Sequence, residues 1–587
     1  MANAQALALL QEKFGYSQFR PGQDRAIAQV LAGENTLVVM PTGGGKSLCY
    51  QIPALVMDGL TLVVSPLIAL MKDQVDALNE NGIAATFINS SLTYQEAENR
   101  LTLAAQGRVK LLYVAPERLD MPQFQEELAA LNITLMAVDE AHCISQWGHD
   151  FRPSYLNLQQ VATSLPSQPT IVALTATATT RVAEDICERL GIAQERMVNT
   201  GFARKNLSFN VVRDQDKDLY LSEYLKLNHD QSGIIYASTR KEVERVYQLL
   251  EHKHLPVTKY HAGLSETERA QNQEDFLYDR KPIMIATNAF GMGIDKSNVR
   301  FVIHDQVPGD LESYYQEAGR AGRDGLPSEA ILLFAPQDLQ IRHFFIDQSE
   351  GDDDYKQREY MKLQTMQQYG NTGDCLQQFI LRYFGEKSAP CGRCSNCLDE
   401  RELVDVTEDA QKVLSCVVRM HSRFGKGLIA QVLAGANNQR IREMHLETLS
   451  TYGLMASQRQ KEIAGFIDFL TASGFLAANG GQYPTLGVTA AGAAVLKGQQ
   501  QVKRKLAAKA KATLAVDDEL FQKLRSLRRD LAEDAGVPPY VIFSDQTLKQ
   551  LAQDKPQDRL GMLAVRGIGQ NKLDKYGEAF LAVLKEA

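Results

Sequence analysis

The 587-residue chain has a single tryptophan, no apolar run long enough to span a bilayer and no excess of positive charge. Each shortage excludes something. A membrane helix needs about 20 consecutive apolar residues, and the N-terminus shows no basic segment leading into an apolar one, so a soluble intracellular protein without a membrane partner is expected. The net charge of −8 argues against a protein that coats polyanions indiscriminately. From Lys497 onward, 17 Lys and Arg stand against 12 Asp and Glu, which leaves −13 on the remainder; nucleic-acid contacts there would have to be local patches. The eight cysteines are too few and too unevenly placed for a disulfide framework. Cys49, Cys143, Cys187 and Cys416 stand alone and read as small core residues.

What is present begins with Met40-Pro41-Thr42-Gly43-Gly44-Gly45-Lys46-Ser47, preceded by the strand-like Thr36-Leu37-Val38-Val39. Three glycines let the backbone curl so that several N–H groups point into one concavity without a Cβ in the way, which suits polyphosphate oxygens. Lys46 would supply charge to the β/γ-phosphates and Ser47 a hydroxyl to Mg²⁺. About ninety residues downstream, the apolar run Ile133–Val138 leads into Asp139-Glu140-Ala141-His142. Asp139 would then hold the ion's second contact and Glu140 would orient the attacking water. Met40 stands where the full phosphate-loop pattern has its first glycine, and a glycine-rich turn with a surface lysine is the plainer alternative for the loop taken alone.

From Leu37 to about Leu333 short apolar strands alternate with helical stretches, the rhythm of parallel sheets with crossover helices. A 587-residue chain that is 44% hydrophobic has room for roughly four domains. The polar, extended Gly201-Phe202-Ala203-Arg204-Lys205-Asn206 reads as a hinge between two sheet units. Charged helices take over after about residue 340, and Lys497–Ala512, basic without acidic residues or an apolar period, reads as a linker. In the second sheet unit, Gln316-Glu317-Ala318-Gly319-Arg320-Ala321-Gly322-Arg323-Asp324-Gly325 offers two arginines three apart. They suit a γ-phosphate held by the other unit, which would tie hydrolysis to closure of the cleft; two arginines on a solvated helix face are the alternative.

With these segments in place, the chain resembles the RecQ family of DNA helicases, within superfamily 2, along nearly its whole length. Phe19-Arg20-Pro21-Gly22-Gln23 resembles the family's adenine-reading segment, with Gln23 on the base edge and Arg20 nearby. Ser65–Gln74 and Ala115–Leu119 resemble the strand-contacting motifs of the first lobe, Thr175-Ala176-Thr177 the segment coupling hydrolysis to strand separation, and Tyr236–Arg240 with Ala286–Asp295 the later motifs. Ile144–Tyr155, which contains Trp147, Phe151 and Arg152, resembles the aromatic-rich loop. Aromatic faces and a guanidinium are what single-stranded bases stack on; core aromatics anchoring a loop are the plainer reading.

Cys375, Cys391, Cys394 and Cys397, the last three in C-x₂-C-x₂-C spacing, can close a tetrahedron around one ion. An iron–sulfur cluster is the alternative, and the resemblance favours structural Zn²⁺. Asn479-Gly480-Gly481 between two apolar runs signals a hairpin; it resembles the wing of a winged-helix domain, with Tyr483 a candidate DNA contact, and a purely structural hairpin is the alternative. Asp517–Leu584 resembles the HRDC module. There Arg566 and Gly567-Ile568-Gly569 suit either phosphate binding or a tight helix-to-helix turn.

The resemblance implies an α/β fold of two RecA-like parallel-sheet lobes at residues 1–203 and 204–338. A helical zinc-binding module follows at 339–401, a winged-helix domain at 402–496, a basic linker at 497–513 and a small all-α HRDC-like domain at 514–587. It implies an ATP-dependent helicase moving 3′ to 5′ on single-stranded and duplex DNA in recombination, replication and repair, located in the bacterial cytoplasm at the nucleoid, with a single-strand-binding protein as a partner. ATP, Mg²⁺ and Zn²⁺ are the implied cofactors. Thr42, Gly43, Gly44, Gly45, Lys46, Ser47 and Gln316 would join Arg20 and Gln23 at the nucleotide, and Asp139, Glu140, His142, Arg320 and Arg323 would serve hydrolysis. An RNA-remodelling ATPase and a nucleotide-switched DNA-binding scaffold are the rival readings.

Overall fold

A computed structural model describes residues 2–148, 150–213, 215–291, 296–401, 403–479, 484–505 and 519–585. Tyr483, His149 and the segment 292–295 of one quoted motif lie outside them.

The first sheet contains β1 (Thr36–Val39), β2 (Leu60–Val64), β3 (Ala85–Ile88), β4 (Leu111–Val114), β5 (Ile133–Val138), β6 (Thr170–Thr175) and β7 (Met197–Asn199), in the spatial order β3-β4-β2-β5-β6-β1-β7. The second contains β8 (Leu207–Arg213), β9 (Ser232–Tyr236), β10 (Val257–Tyr260), β11 (Ile283–Ala286), β12 (Val299–His304) and β13 (Ser328–Phe334), in the order β10-β11-β9-β12-β13-β8. Neighbouring strands in both run parallel. The central strands are buried along their whole length, as in Thr36–Val39, Leu60–Val64 and Ile283–Ala286. Crossover helices cover both faces, so these strands are continuous apolar runs rather than alternating ones. Each fully buried Val, Leu or Ile contributes about 1.5–3 kcal/mol to holding its layer.

The order within the first sheet places the chemistry. β5, β6 and β1 are neighbours, so the glycine-rich loop after β1, Asp139 after β5 and Thr175 at the end of β6 emerge side by side at one sheet edge. Ligand crevices of open α/β sheets lie at such carboxyl ends.

The connector read as a hinge is anchored at both ends of its polar stretch. Phe202 is buried and stacks on Phe384 with ring centroids 4.5 Å apart, and Arg204 is only 7% exposed. Burying an aromatic ring and a guanidinium anchors a segment more firmly than its polar composition indicates.

Beyond the sheets, helix Asp353–Asn371 and helix Leu376–Tyr383 lead into the cysteine cluster. Helices Thr407–Arg419, Lys426–Leu433 and Gln460–Ala472 enclose a separate apolar core with the hairpin β15 (Leu476–Asn479) and β16 (Thr485–Val488), paired antiparallel as the Asn-Gly-Gly turn predicts. The basic stretch expected to be a linker differs in part: β17 (Lys503–Lys505) pairs antiparallel with β14 (Leu403–Asp405). Val502 beside it is buried in the adjacent core, and Lys503 lies opposite Asp405, so one apolar anchor and a cross-strand charge pair order a segment that lacks periodicity.

Helices Glu519–Ala535, Asp545–Asp554 and Gln570–Lys585 build the terminal bundle. It rests on both sheet units. The Gly567 N–H donates to the Gly15 carbonyl at 3.1 Å, Lys575 pairs with Glu80 at 2.7 Å, and Arg525 donates to the Asp230 carbonyl at 3.0 Å. The Gly567-Ile568-Gly569 turn therefore packs as a tight connection against Gly15, where a Cβ would stand 2.7 Å from the Ile568 backbone.

Candidate functional site

The glycine-rich loop adopts the curled form that its composition predicts. Gly43 and Gly45 take φ of 78° and 82°, values that residues with a Cβ avoid, and the Gly44 N–H turns back to the Pro41 carbonyl at 2.9 Å. Helix Leu48–Val56 starts directly behind Ser47, so its N-terminal amides and dipole favour an anion at the loop. Lys46 donates to the Met40 carbonyl at 3.2 Å. Burial pulls its ammonium below the ordinary lysine value, with Glu140 and Asp139 opposing the shift.

Asp139 leaves β5 with its N–H bonded to the Val64 carbonyl at 2.9 Å, and its own carbonyl accepts from the Tyr155 hydroxyl at 3.0 Å. Glu140 follows with φ of 47°. A non-glycine residue in the left-handed region is strained, and such strain gathers at functional sites. His142, almost fully buried, lies 3.0 Å from the Thr175 hydroxyl and 3.3 Å from the Glu140 carboxylate. One imidazole thus joins the acidic pair to the Thr175-Ala176-Thr177 segment.

Arg320 and Arg323 follow helix Leu311–Ala318 in a turn, not on a solvated helix face, and Arg320 is 5% exposed. The second unit's turn abuts the first unit's loop. A Cβ on Gly43 would lie 3.1 Å from the Arg323 Cα, and one on Gly319 would lie 3.1 Å from the Thr42 Cβ. Gln316 sits on the same helix, half-buried.

Arg20 donates to the Gly43 carbonyl. The Gln23 amide donates to the Gly45 carbonyl at 2.9 Å, and its oxygen accepts from the Arg20 N–H at 2.8 Å. Both residues expected at the base are therefore tied to the phosphate loop as well.

Sequence reading missed the role of Arg204. Its guanidinium donates to the Thr42 carbonyl at 2.5 Å, to Gly319 at 3.1 Å, and to Ala321 and Gly322 at 2.9 Å each. Burial holds it below the ordinary arginine value, and the Arg323 and Arg20 charges add repulsion. Nothing in local spacing marks it; its one signal was an arginine within a hinge. The cations Arg20, Lys46 and Arg323 around the cradle fit a triphosphate, and Ser47 with Asp139 fits the oxygen donors Mg²⁺ takes.

The four cysteine sulfurs lie within 4.8 Å of one another, and Cys375 and Cys394 are 3.9 Å apart. Four ligands on tetrahedral bonds of about 2.3 Å need sulfurs spaced in this way. Cys49, Cys143, Cys187 and Cys416 are buried, as small core residues are.

Family models match almost end to end: DEAD/DEAH box helicase over residues 20–186, helicase conserved C-terminal domain over 216–325, RecQ zinc-binding over 336–398, RQC domain over 400–513 and HRDC domain over 517–584. The ATP-dependent DNA helicase RecQ of Bacillus subtilis is 52% identical over 578 residues, covering 98% of each chain. The chain belongs to the RecQ family. The RecQ of Haemophilus influenzae is 40% identical, covering 99% of this chain and 96% of that one. The RecQ-like DNA helicase BLM of Xenopus laevis is 32% identical over 99% of this chain, which spans 46% of it. For this RecQ-family chain the zinc-binding match and the clustered thiols agree on Zn²⁺ as the resident ion. No helix among its described residues is long and apolar enough to cross a membrane.

The RecQ-family loop after the acidic pair folds tightly. Gly148 N–H bonds to the Ser145 carbonyl at 3.0 Å, and a Cβ there would meet the His142 carbonyl at 2.7 Å. Trp147 is 39% exposed, unlike a core aromatic, and Phe151 is half-buried. Arg152 is held by Asp150 at 3.3 Å and donates to the Pro66 carbonyl at 3.3 Å.

Proposed function

We propose that this RecQ-family chain is an ATP-dependent DNA helicase that unwinds duplex DNA in recombination, replication and repair, moving 3′ to 5′ along one strand. The observation that carries the reading is the meeting of Gly43 with Arg323 across the two sheet units. Lys46 balances phosphate charge, Glu140 orients the attacking water, and Arg320 and Arg323 stabilise charge on the transferred group only when both units meet. Bound Mg²⁺ would add charge neutralisation between Ser47 and Asp139. Hydrolysis thereby becomes a cycle of domain closure and opening.

The division at 203/204 and 338/339 belongs to the same proposal, supported by the two separate sheets. So do a cytoplasmic, nucleoid-associated setting and a single-strand-binding protein as partner. The zinc-binding, RQC and HRDC matches weigh against an RNA-remodelling ATPase. A strand-displacement assay on 3′-tailed, 5′-tailed and forked duplexes, with and without ATP, tests the reading. ATP-dependent displacement of the 3′-tailed duplex is expected. Binding without turnover would return the nucleotide-switched scaffold.

A further inference from the structure

Trp147 is partly exposed, yet its ring is already engaged. The guanidinium carbon of Arg181 stands 3.2 Å from the indole centroid and that of Arg358 stands 5.5 Å from it. Arg181 lies in the first turn of helix Thr180–Leu190, just beyond the Thr175-Ala176-Thr177 segment that His142 contacts. Arg358 comes from helix Asp353–Asn371, outside both sheets. Two cations from two parts of the fold therefore converge on one indole. At 3.2 Å no base can slip between Arg181 and the ring it covers.

We infer that Arg181 and Arg358 are positioning residues that latch Trp147, and that a single strand engages the aromatic-rich loop only after displacing their guanidiniums from the indole. The inference rests on the reading of that loop as a surface on which single-stranded bases stack. A cation over an exposed aromatic ring is held less tightly than a base stacked on one, so a strand can take the ring. The released guanidiniums are then suited to phosphate oxygens. Release also frees the loop from helix Asp353–Asn371, and the loop continues directly from Asp139-Glu140. Displacement of the arginines thus carries strand binding to the hydrolytic site.

Trp147 is the only tryptophan of the chain, so intrinsic fluorescence reports this ring alone. Acrylamide quenching of the full-length protein is expected to rise about twofold in Arg181→Ala and in Arg358→Ala, as a ring now 39% exposed opens further. Arg358→Lys should stay near wild type because an ammonium also sits over an indole. The oligothymidylate concentration giving half-maximal ATPase stimulation should fall roughly two- to fivefold in the alanine variants, the range one exposed cation–π contact commands. Unchanged quenching, or a midpoint that rises, would overturn the latch. Should Arg358→Ala fail to fold, Arg181→Ala, at an exposed helix start, carries the same test. Failure of the latch while wild type unwinds 3′-tailed duplex leaves the helicase reading standing; absence of unwinding by wild type removes that reading instead.

Discussion

Arg323 packs its backbone on Gly43, with the Arg323 Cα only 3.1 Å from where a Cβ on residue 43 would stand. Loop and arginine belong to different sheets, so this contact exists only while the cleft is closed. Arg323→Ala should lower DNA-stimulated kcat by about a thousandfold, the lower end of what such an arginine supplies. Nucleotide affinity measured by fluorescent-analogue titration should change far less. An unaltered kcat would remove Arg323 from the reaction.

Lys46→Ala should abolish hydrolysis while single-strand affinity stays near wild type, because the substitution removes charge beside Met40 and the cradle and touches no strand groove. Phosphate release and strand binding, measured on the same preparation, check both halves.

Arg204 joins the Thr42 carbonyl to those of Gly319, Ala321 and Gly322. Arg204→Lys should behave like Arg204→Ala, since one ammonium cannot span four carbonyls in the planar fork's geometry. Both should lose ATPase activity and melt at lower temperature. Full rescue by lysine in steady-state assays would show that charge alone matters.

Replacing Cys391, Cys394 or Cys397 with Ser should lower bound zinc and give insoluble or protease-sensitive protein, because the metal's binding energy is also folding energy. Metal analysis of wild type finding iron instead would reverse the assignment.

Trp147→Ala should leave the melting midpoint nearly unchanged. What the variant loses is mainly the exposed cation–π contacts with Arg181 and Arg358, about 0.5–1 kcal/mol each, well short of the roughly 3–5 kcal/mol lost with a core aromatic. DNA-free hydrolysis should persist while stimulation by single-stranded DNA collapses. Wild-type stimulation in a stably folded variant would dismiss the sensor.

The sequence by itself determined the chemistry carried locally. Three successive glycines permit the positive φ a phosphate cradle needs, C-x₂-C-x₂-C brings thiols within reach of one ion, and Asn-Gly-Gly between two apolar runs signals a hairpin. Apolar strands alternating with helices likewise specified parallel sheets before any contact was known. Tertiary structure alone decided what depends on distant partners. It showed that Arg204 spends its guanidinium on carbonyls 115–162 residues away, that Arg181 and Arg358 meet over Trp147, that Lys503–Lys505 becomes a strand by pairing with Leu403–Asp405, and that Gly567 docks on Gly15. A guanidinium has the same five donors wherever it stands in a chain. Only the fold brings the carbonyls, or the indole, to which those donors turn.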